Sequence, residues 1–375
     1  MDMRILFTGG GTAGHINPAL AVAAYVRARH PEAAIAYVGT PNGMEARLVP
    51  QAGFDFIPLE VMGFLRRMSK KNLRHNLEAV RCLSHASHRA REILQDFKPD
   101  LVMGTGGYVS GPLLREAAHL GIKTATHESN AFPGMTTKLL MRHVDLLMLS
   151  TPAAEKYLHP GCPTVVTGTP VREGFLFTSR EKARKELGID SRPCIVSFGG
   201  SNGAKRINEA IADLIAWHAP KGNLWHIHAT GSFGRDYLPE LLEERGVDWK
   251  GKPNIVVKEY IDNMPTCYAA ADLIICRSGA TTLSELCASG RASILIPSPN
   301  VAENHQYHNA QAMVEAGASL LIQEQDLTGE RLIQEVEQLI NHPERLRELG
   351  ENAGKAGHLD ANQRIYEELM KLLRS

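Results

Sequence analysis

CRSGATTLSE, residues 276–285, is the stretch on which the fold turns. It follows the apolar run 273–276, passes through a turn of Ser278, Gly279 and Ala280, and leads into a helix expected to begin near Thr282. A buried strand, a small-residue turn and a helix start are the repeating unit of a parallel α/β sheet. Such a turn also lets backbone N–H groups approach an anion closely, at the end where the helix dipole favours negative charge. Glu285, expected in the first helical turn, carries a carboxylate able to accept two hydrogen bonds from the vicinal hydroxyls of a ribose. The next strand, 293–297, feeds a polar loop ending in His305 and Gln306, side chains suited to reading sugar hydroxyls. The stretch reads as a pocket for a nucleotide sugar. Thr282 and Glu285 also have the spacing of a capping box, whose only task is to start a helix.

Outward from there the same unit recurs. RILFTGGGTAGHINP (4–18) is a buried strand, a glycine turn and an alanine-rich helix with Pro18 near its start, which together make a phosphate cradle. Gly9, Gly11 and Gly14 satisfy GxGxxG. The acid that binds ribose in a dinucleotide fold is missing, however, because the second strand runs into Gly39 and Thr40, so NAD is set aside. His15 stands on this turn at the carboxyl end of a strand, where doubly wound folds bind ligands, and is either a reactive imidazole or a capping one. GTGGYVSGP (104–112) follows another strand, and a short strand 124–126 delivers His127, Glu128, Ser129 and Asn130 to the same edge. These form either a polar site or a buried, mutually bonded network. Phe198 enters Gly199-Gly200-Ser201-Asn202-Gly203, an echo of Gly10-Gly11-Thr12-Ala13-Gly14. The echo predicts two similarly built α/β domains. The stretch 168–172 is read as a hinge, from which Arg172 could reach a diphosphate or pair with a neighbour.

At 375 residues the chain suits two such domains rather than one core. A formal net charge of zero gives no bulk electrostatic argument for nucleic acid. Six cysteines without a CxxC pair suit buried thiols better than a disulfide frame or a zinc site. The N-terminus opens on a strand without a signal-peptide layout, and no apolar run approaches the roughly 20 residues of a spanning helix. Any membrane contact is therefore expected to be peripheral. The segment 63–74 interleaves Phe64, Leu65, Met68 and Leu73 with Arg66, Arg67, Lys70, Lys71 and Arg74. That pattern fits an anionic bilayer surface, where each Lys or Arg contributes about 1 kcal/mol, or a solvated loop with a partly buried stripe.

Taken together, Gly11 to His15, Gly104 to Pro112, His127-Glu128-x-Asn130, Thr169 to Arg172, Phe198 to Ser201, Arg277 to Glu285 and His305-Gln306 resemble the MurG family along essentially the whole chain. These are membrane-associated N-acetylglucosaminyltransferases of peptidoglycan synthesis, a pathway tied to cell shape and division. The resemblance implies a GT-B fold of two Rossmann-like domains facing across a cleft. The implied domains are 1–168 for the acceptor and membrane and 169–357 for UDP-GlcNAc, with a last helix of about 358–375 packing back on the first. It implies inverting transfer of N-acetylglucosamine from UDP-GlcNAc to the C4 hydroxyl of undecaprenyl-diphospho-muramoyl-pentapeptide, at the cytoplasmic face of the bacterial membrane, with cell-wall synthesis proteins as possible partners.

By that resemblance Ile261, Ala280, Thr281 and Thr282 surround uracil and diphosphate, Glu285 holds the ribose, and His305 and Gln306 read the sugar. Ser201 and Arg172 line the diphosphate, while Thr12, Ala13, Gly14 and Asn130 approach the donor from the first domain. Gly11, Thr12, Ala13, Gly14 and Tyr108 line the acceptor. His15 is the implied base, with His127 and Glu128 as catalytic companions. No cofactor is implied, and the sequence has no Asp-x-Asp pair to hold a metal on the diphosphate. Helix N-termini would stabilise departing UDP, so turnover is expected to persist in EDTA. Ala13, Ser129 and His305 depart from the family pattern. The rival readings are a UDP-GlcNAc 2-epimerase, a glycosyltransferase with another acceptor, and a non-catalytic sugar-nucleotide binder.

Overall fold

The computed structural model describes residues 3–62, 85–301 and 304–375 and divides into two compact units. Unit 1 comprises Met1–Arg172 with Asp360–Ser375, and unit 2 comprises Glu173–Leu359. The basic-apolar segment, including Phe64, Leu65, Arg66, Arg67, Lys70 and Lys71, lies outside the described residues.

Unit 1 is a seven-stranded sheet of β1 (Arg4–Thr8), β2 (Ala34–Gly39), β3 (Asp55–Pro58), β4 (Leu101–Gly104), β5 (Lys123–Glu128), β6 (Leu146–Leu149) and β7 (Thr164–Val166), in the order β3-β2-β1-β4-β5-β6-β7. All its ladders are parallel. Helices cover both faces of a parallel sheet, so its strands read as unbroken apolar runs rather than alternating ones. In β1, Ile5 and Phe7 enter one core and Leu6 the other, and all three are fully buried. Each such side chain contributes roughly 1.5–3 kcal/mol on burial. The helix Ala13–Arg29 packs a face rich in small residues, with Ala19, Val22 and Ala23, against β1. It opens immediately after the glycine turn, so Pro18 stands inside it rather than at its start. The helix Ala361–Arg374 closes the same core with Ile365 and Leu369. Its Tyr366 hydroxyl lies 2.8 Å from His30 Nε2, and Asn362 exchanges hydrogen bonds of 3.1 and 2.7 Å with the Val171 backbone.

Unit 2 is a six-stranded parallel sheet of β8 (Cys194–Phe198), β9 (Trp225–Ala229), β10 (Ile255–Lys258), β11 (Leu273–Cys276), β12 (Ala292–Leu295) and β13 (Ser319–Leu321), ordered β10-β9-β8-β11-β12-β13. Successive residues of β8 point to opposite faces: Cys194, Val196 and Phe198 enter one core, and Ile195 the other. Four of the five described cysteines are buried, and burial raises the Cys194 thiol to about 12 and those of Cys267 and Cys287 to about 11. Thiols held protonated in this way are poor nucleophiles at neutral pH.

Ser197 faces a polar chain buried in unit 2. Asn208 Oδ1 can only accept, so His228 Nε2 donates to it (3.2 Å), leaving His228 Nδ1 to accept from Ser197 Oγ (2.7 Å). Ser197 Oγ then accepts from His226 Nε2 (2.8 Å), and His226 Nδ1 accepts from His218 Nε2 (3.1 Å). Every tautomer follows from the amide at the end. Burial lowers the pKa of all three imidazoles, to about 4 for His218 and about 3 for His228, so the chain is neutral. Asn208 Nδ2 donates to the carbonyl of Thr230 (2.9 Å) and thereby fixes the loop after β9.

Candidate active site

In unit 1 the strand order reverses between β1 and β4, and a doubly wound sheet opens a crevice at the carboxyl ends of such a pair. Loops from β1, β4 and β5 meet there. Gly107 packs so tightly on Gly10 that a Cβ would overlap its backbone, and Gly106 lies directly against the His15 ring. Gly10 N–H donates to the Gly106 carbonyl (3.3 Å), and Thr136 Oγ1, in the helix that follows the β5 loop, donates to the Gly107 carbonyl (3.2 Å). Gly11 takes φ +84°, a conformation that explains a glycine before the helix.

His15 is the third residue of that helix. Its Nδ1 lies 3.2 Å from the Gly10 carbonyl and 3.4 Å from Thr12 Oγ1. A carbonyl only accepts, so Nδ1 bears the proton and Nε2 is the basic nitrogen. Burial lowers the pKa of His15, opposed by the charge of Glu128, the Gly10 hydrogen bond and the charge of Glu45. The result is a neutral imidazole, with its proton placed away from Nε2. Thr12 and Tyr108 are exposed beside this turn, and Ala13 and Gly14 are half-buried.

The two neighbours expected to share catalysis with His15 are each held by hydrogen bonds within unit 1. Glu128 Oε1 accepts from the backbone and side-chain amides of Asn130 (both 2.9 Å), and Oε2 accepts from Gly134 N–H (2.8 Å) and Thr137 Oγ1 (2.6 Å). With four donors on its carboxylate, Glu128 organises the loop into the helix Met135–Leu140 and reaches His15 only through its charge. His127 is buried, donates from Nε2 to the Gly168 carbonyl (2.8 Å), and has Ser129 Oγ 3.4 Å from Nδ1. Both of its ring nitrogens therefore have a polar neighbour within unit 1. Asn130 likewise spends its amide on Glu128. Arg172 is half-buried at the end of unit 1.

Sequence reasoning passed over Glu45 entirely. It is fully buried and accepts from Thr40 N–H (3.0 Å) and Thr40 Oγ1 (2.5 Å) at Oε1, and from Gly11 N–H (3.4 Å) at Oε2. The available signal was an acid shortly after Gly39 and Gly43, just beyond the strand that lacked its expected acid.

In unit 2 the reversal falls between β8 and β11. A pocket of about 440 Å³ is lined there by the turn Gly199–Ala204 with Lys205, Arg206, Arg277, Ser298 and Gln306. Ser201 lies on this turn, between Gly200 and Gly203, which take φ of +93° and +84°. Arg277 donates to the carbonyls of Ile296 (3.1 Å) and Pro297 (3.0 Å) and forms an ion pair with Glu324, tying the loops after β11, β12 and β13 together. Gln306 Oε1 accepts from Ser298 N–H (2.9 Å), which turns the amide so that Nε2 is its donor end at the pocket it lines.

The helix after β11 begins at Ala280, with Gly279 as its N-cap and no side-chain cap. Thr282 is therefore the third helical residue and Glu285 the sixth. This corrects the expected start and removes the capping-box reading, because neither side chain is at the end. Ala280, Thr281 and Thr282 form the first turn, and Glu285 is buried in the second. His305 and Gln306 open the helix His305–Glu315. The Ile261 side chain, expected beside uracil, is buried in the core with Phe198 and Tyr268.

Two family models match, the glycosyltransferase family 28 N-terminal domain over residues 5–148 and its C-terminal domain over residues 194–365. The UDP-N-acetylglucosamine--N-acetylmuramyl-(pentapeptide) pyrophosphoryl-undecaprenol N-acetylglucosamine transferase of Acetivibrio thermocellus is 44% identical over 100% of this chain and 99% of its own. The chain belongs to the MurG family. The Ruminiclostridium cellulolyticum MurG-family relative of the same name is 42% identical over 99% of this chain and 100% of its own. The crystal structure of Acinetobacter baumannii MurG matches with a TM-score of 0.68 at 27% identity, covering 98% of this chain and 99% of that one. A UDP-GlcNAc 2-epimerase from Neisseria meningitidis, solved with UDP-GlcNAc bound, shares the fold at 16% identity (TM-score 0.67, 98% of this chain and 100% of that one). Like other members of the MurG family, this chain is a hexosyltransferase of the two-domain α/β, GT-B class.

Proposed function

We propose that the protein transfers N-acetylglucosamine from UDP-GlcNAc to the C4 hydroxyl of undecaprenyl-diphospho-muramoyl-pentapeptide, converting lipid I to lipid II with inversion. The observation that carries this is full-length identity of 44% to a relative named for that transfer, spanning both glycine turns. In this reading His15 Nε2 takes the C4–OH proton as that oxygen bonds to the anomeric carbon. The bond from the anomeric carbon to the UDP oxygen breaks, and its electron pair leaves with UDP. General-base assistance of this kind contributes roughly 10²–10⁴-fold.

Unit 1 would hold the acceptor around Gly11, Thr12, Ala13, Gly14 and Tyr108. Unit 2 would hold the donor, with the diphosphate at Ser201 and the first turn Ala280–Thr282, the ribose at Glu285, and the sugar at Gln306 Nε2 with His305 beside it. Backbone N–H groups of the unit 2 turns, with Lys205 and Arg206 near, would stabilise the departing diphosphate. No helix among the described residues is long and apolar enough to cross a membrane. Contact with the anionic cytoplasmic surface through residues 63–74 would bring the enzyme to its lipid acceptor.

The test is a transferase assay with a short-chain lipid acceptor, supplied with UDP-GlcNAc or UDP-glucose, with and without EDTA. Lipid II formed from UDP-GlcNAc in the chelator is expected. Epimerised nucleotide sugar without acceptor, or no product with the lipid, would overturn the assignment.

A further inference from the structure

A carboxyl group with no bulk water around it and no cation beside it is expensive to bury, and it persists only where donors surround it. Glu45 is such a group. It is fully buried, and no ion pair to it occurs among the described residues. Its two oxygens are met by Thr40 N–H, Thr40 Oγ1 and Gly11 N–H. Three glycines close around it: at Gly10, Gly39 and Gly43 alike, a Cβ would overlap the Glu45 side chain. The space under the first glycine turn is thus shaped to a carboxyl group. Two of the residues it meets, Gly10 and Gly11, belong to the turn, and the Gly10 carbonyl is the one that holds the proton of His15 on Nδ1.

We propose that Glu45 is a positioning residue for the reaction, holding the glycine turn from beneath so that the Gly10 carbonyl fixes the His15 ring with Nε2 as its basic nitrogen. This rests on the assignment of His15 as the base. Two other side chains fasten the same turn. Tyr37 Oη donates to the Gly9 carbonyl (2.8 Å), and Thr105 Oγ1 donates to the His15 carbonyl (2.5 Å). Neither supplies a charge, whereas Glu45 does. The groups acting on the His15 ring are therefore Glu128 from β5 and Glu45 from below, both of which favour its protonated form against burial. With the Gly10 hydrogen bond they oppose the lowering that burial imposes on the imidazole. Tyr37, whose hydroxyl burial and Glu45 hold protonated well above its usual pKa, adds no charge.

The experiment is Glu45→Gln, read by the pH profile of kcat and by an NMR titration of the His15 imidazole. An amide keeps the shape but removes the charge and sets an NH₂ group against N–H donors. We expect kcat to fall about tenfold, the loss of one charge-assisted hydrogen bond. The acidic limb should move to lower pH together with the NMR-observed pKa of His15, while the UDP dissociation constant is unchanged. The ring ¹⁵N shifts read the tautomer directly: a glutamate that does not position the ring would lower thermal stability and leave His15 in the single Nδ1–H tautomer with the limb in place, and that result overturns the proposal. Where the glutamine variant does not fold, Glu45→Asp, which withdraws the charge by one methylene, should move both in the same direction by less, and no movement there counts equally against it. The imidazole titration needs no turnover, so it judges Glu45 even if His15→Ala kept wild-type rates and removed His15 as the base.

Discussion

The two glycine turns are the same sentence written twice with different supports. Gly10-Gly11-Thr12 and Gly199-Gly200-Ser201 each follow the central strand of a parallel sheet, and each places a glycine at φ between +84° and +93° before a helix. Beneath the first turn lie carboxyl groups, Glu45 in contact and Glu128 acting at a distance, and on it stands a neutral histidine. Behind the second lies an uncharged chain of three histidines, a serine and an asparagine that fixes Thr230, against which Gly203 packs. In front of it are Lys205, Arg206 and the ion pair of Arg277 with Glu324. Under the proposed assignment, the turn with carboxylates near it carries the base, and the turn with an uncharged support meets the diphosphate. Backbone geometry is held in common, and the chemistry is divided by what lies behind it.

The comparison breaks most visibly at the glycines. At Gly203 an alanine Cβ would overlap the Thr230 carbonyl at φ +84°, whereas at Gly11, with the same φ, nothing lies within 4 Å. Gly203→Ala is expected to cost more than 3 kcal/mol and to abolish measurable UDP binding, while Gly11→Ala should cost about 1–2 kcal/mol of backbone strain and leave UDP affinity alone. Urea unfolding and calorimetry with UDP would rank the two, and the reverse ranking would show that the turns are not supported as described.

The neutral histidine chain makes the next prediction. Its imidazoles titrate near 6.5 when unfolded but at about 4 and about 3 for His218 and His228 when folded. Protons therefore favour the unfolded chain between those values. The stability of unit 2 should be full above pH 6.5 and fall by several kcal/mol, roughly, as pH drops toward 3. All three tryptophans, Trp217, Trp225 and Trp249, lie in unit 2, so their fluorescence reports it selectively. Equal urea midpoints at pH 7.5 and pH 4.5 would contradict the assignment of three buried neutral rings.

The smallest effect is expected at Ala13, whose methyl group sits half-buried at the start of the first helix. Ala13→Gly should change the acceptor KM by no more than about threefold, with a cost of some 0.5–1 kcal/mol in helix stability. UDP affinity should not move, and a changed UDP dissociation constant would blur the division between the units.

Much of this was legible in the chain itself. Buried runs such as ILFT and CIVSF, each followed by glycines, announced two parallel sheets, and the echo of the two turns announced their likeness. The polarity of His127 and Glu128 was also legible, but not its purpose. Four donors converge on Glu128 from residues as far along as Thr137, and the partner of His127 is a carbonyl 41 positions away. Only the folded chain brings those together. Glu285 is expected in the first turn because Thr282 resembles a cap, whereas the cap is Gly279, three residues earlier. Glu45 escaped notice because a lone acid after a strand has no pattern until three glycines fold around it. The histidine chain had a faint signal in His226 and His228, two apart in a buried strand and so on one face.

The central claim is that the proton leaves on the first turn and the anion is held on the second. Measuring kcat with a short-chain lipid acceptor and the UDP dissociation constant for His15→Ala in the same preparation tests it most directly. The account predicts a kcat at least about 100-fold lower with UDP affinity unchanged. Wild-type turnover, or UDP binding weakened in step with the rate, would contradict it.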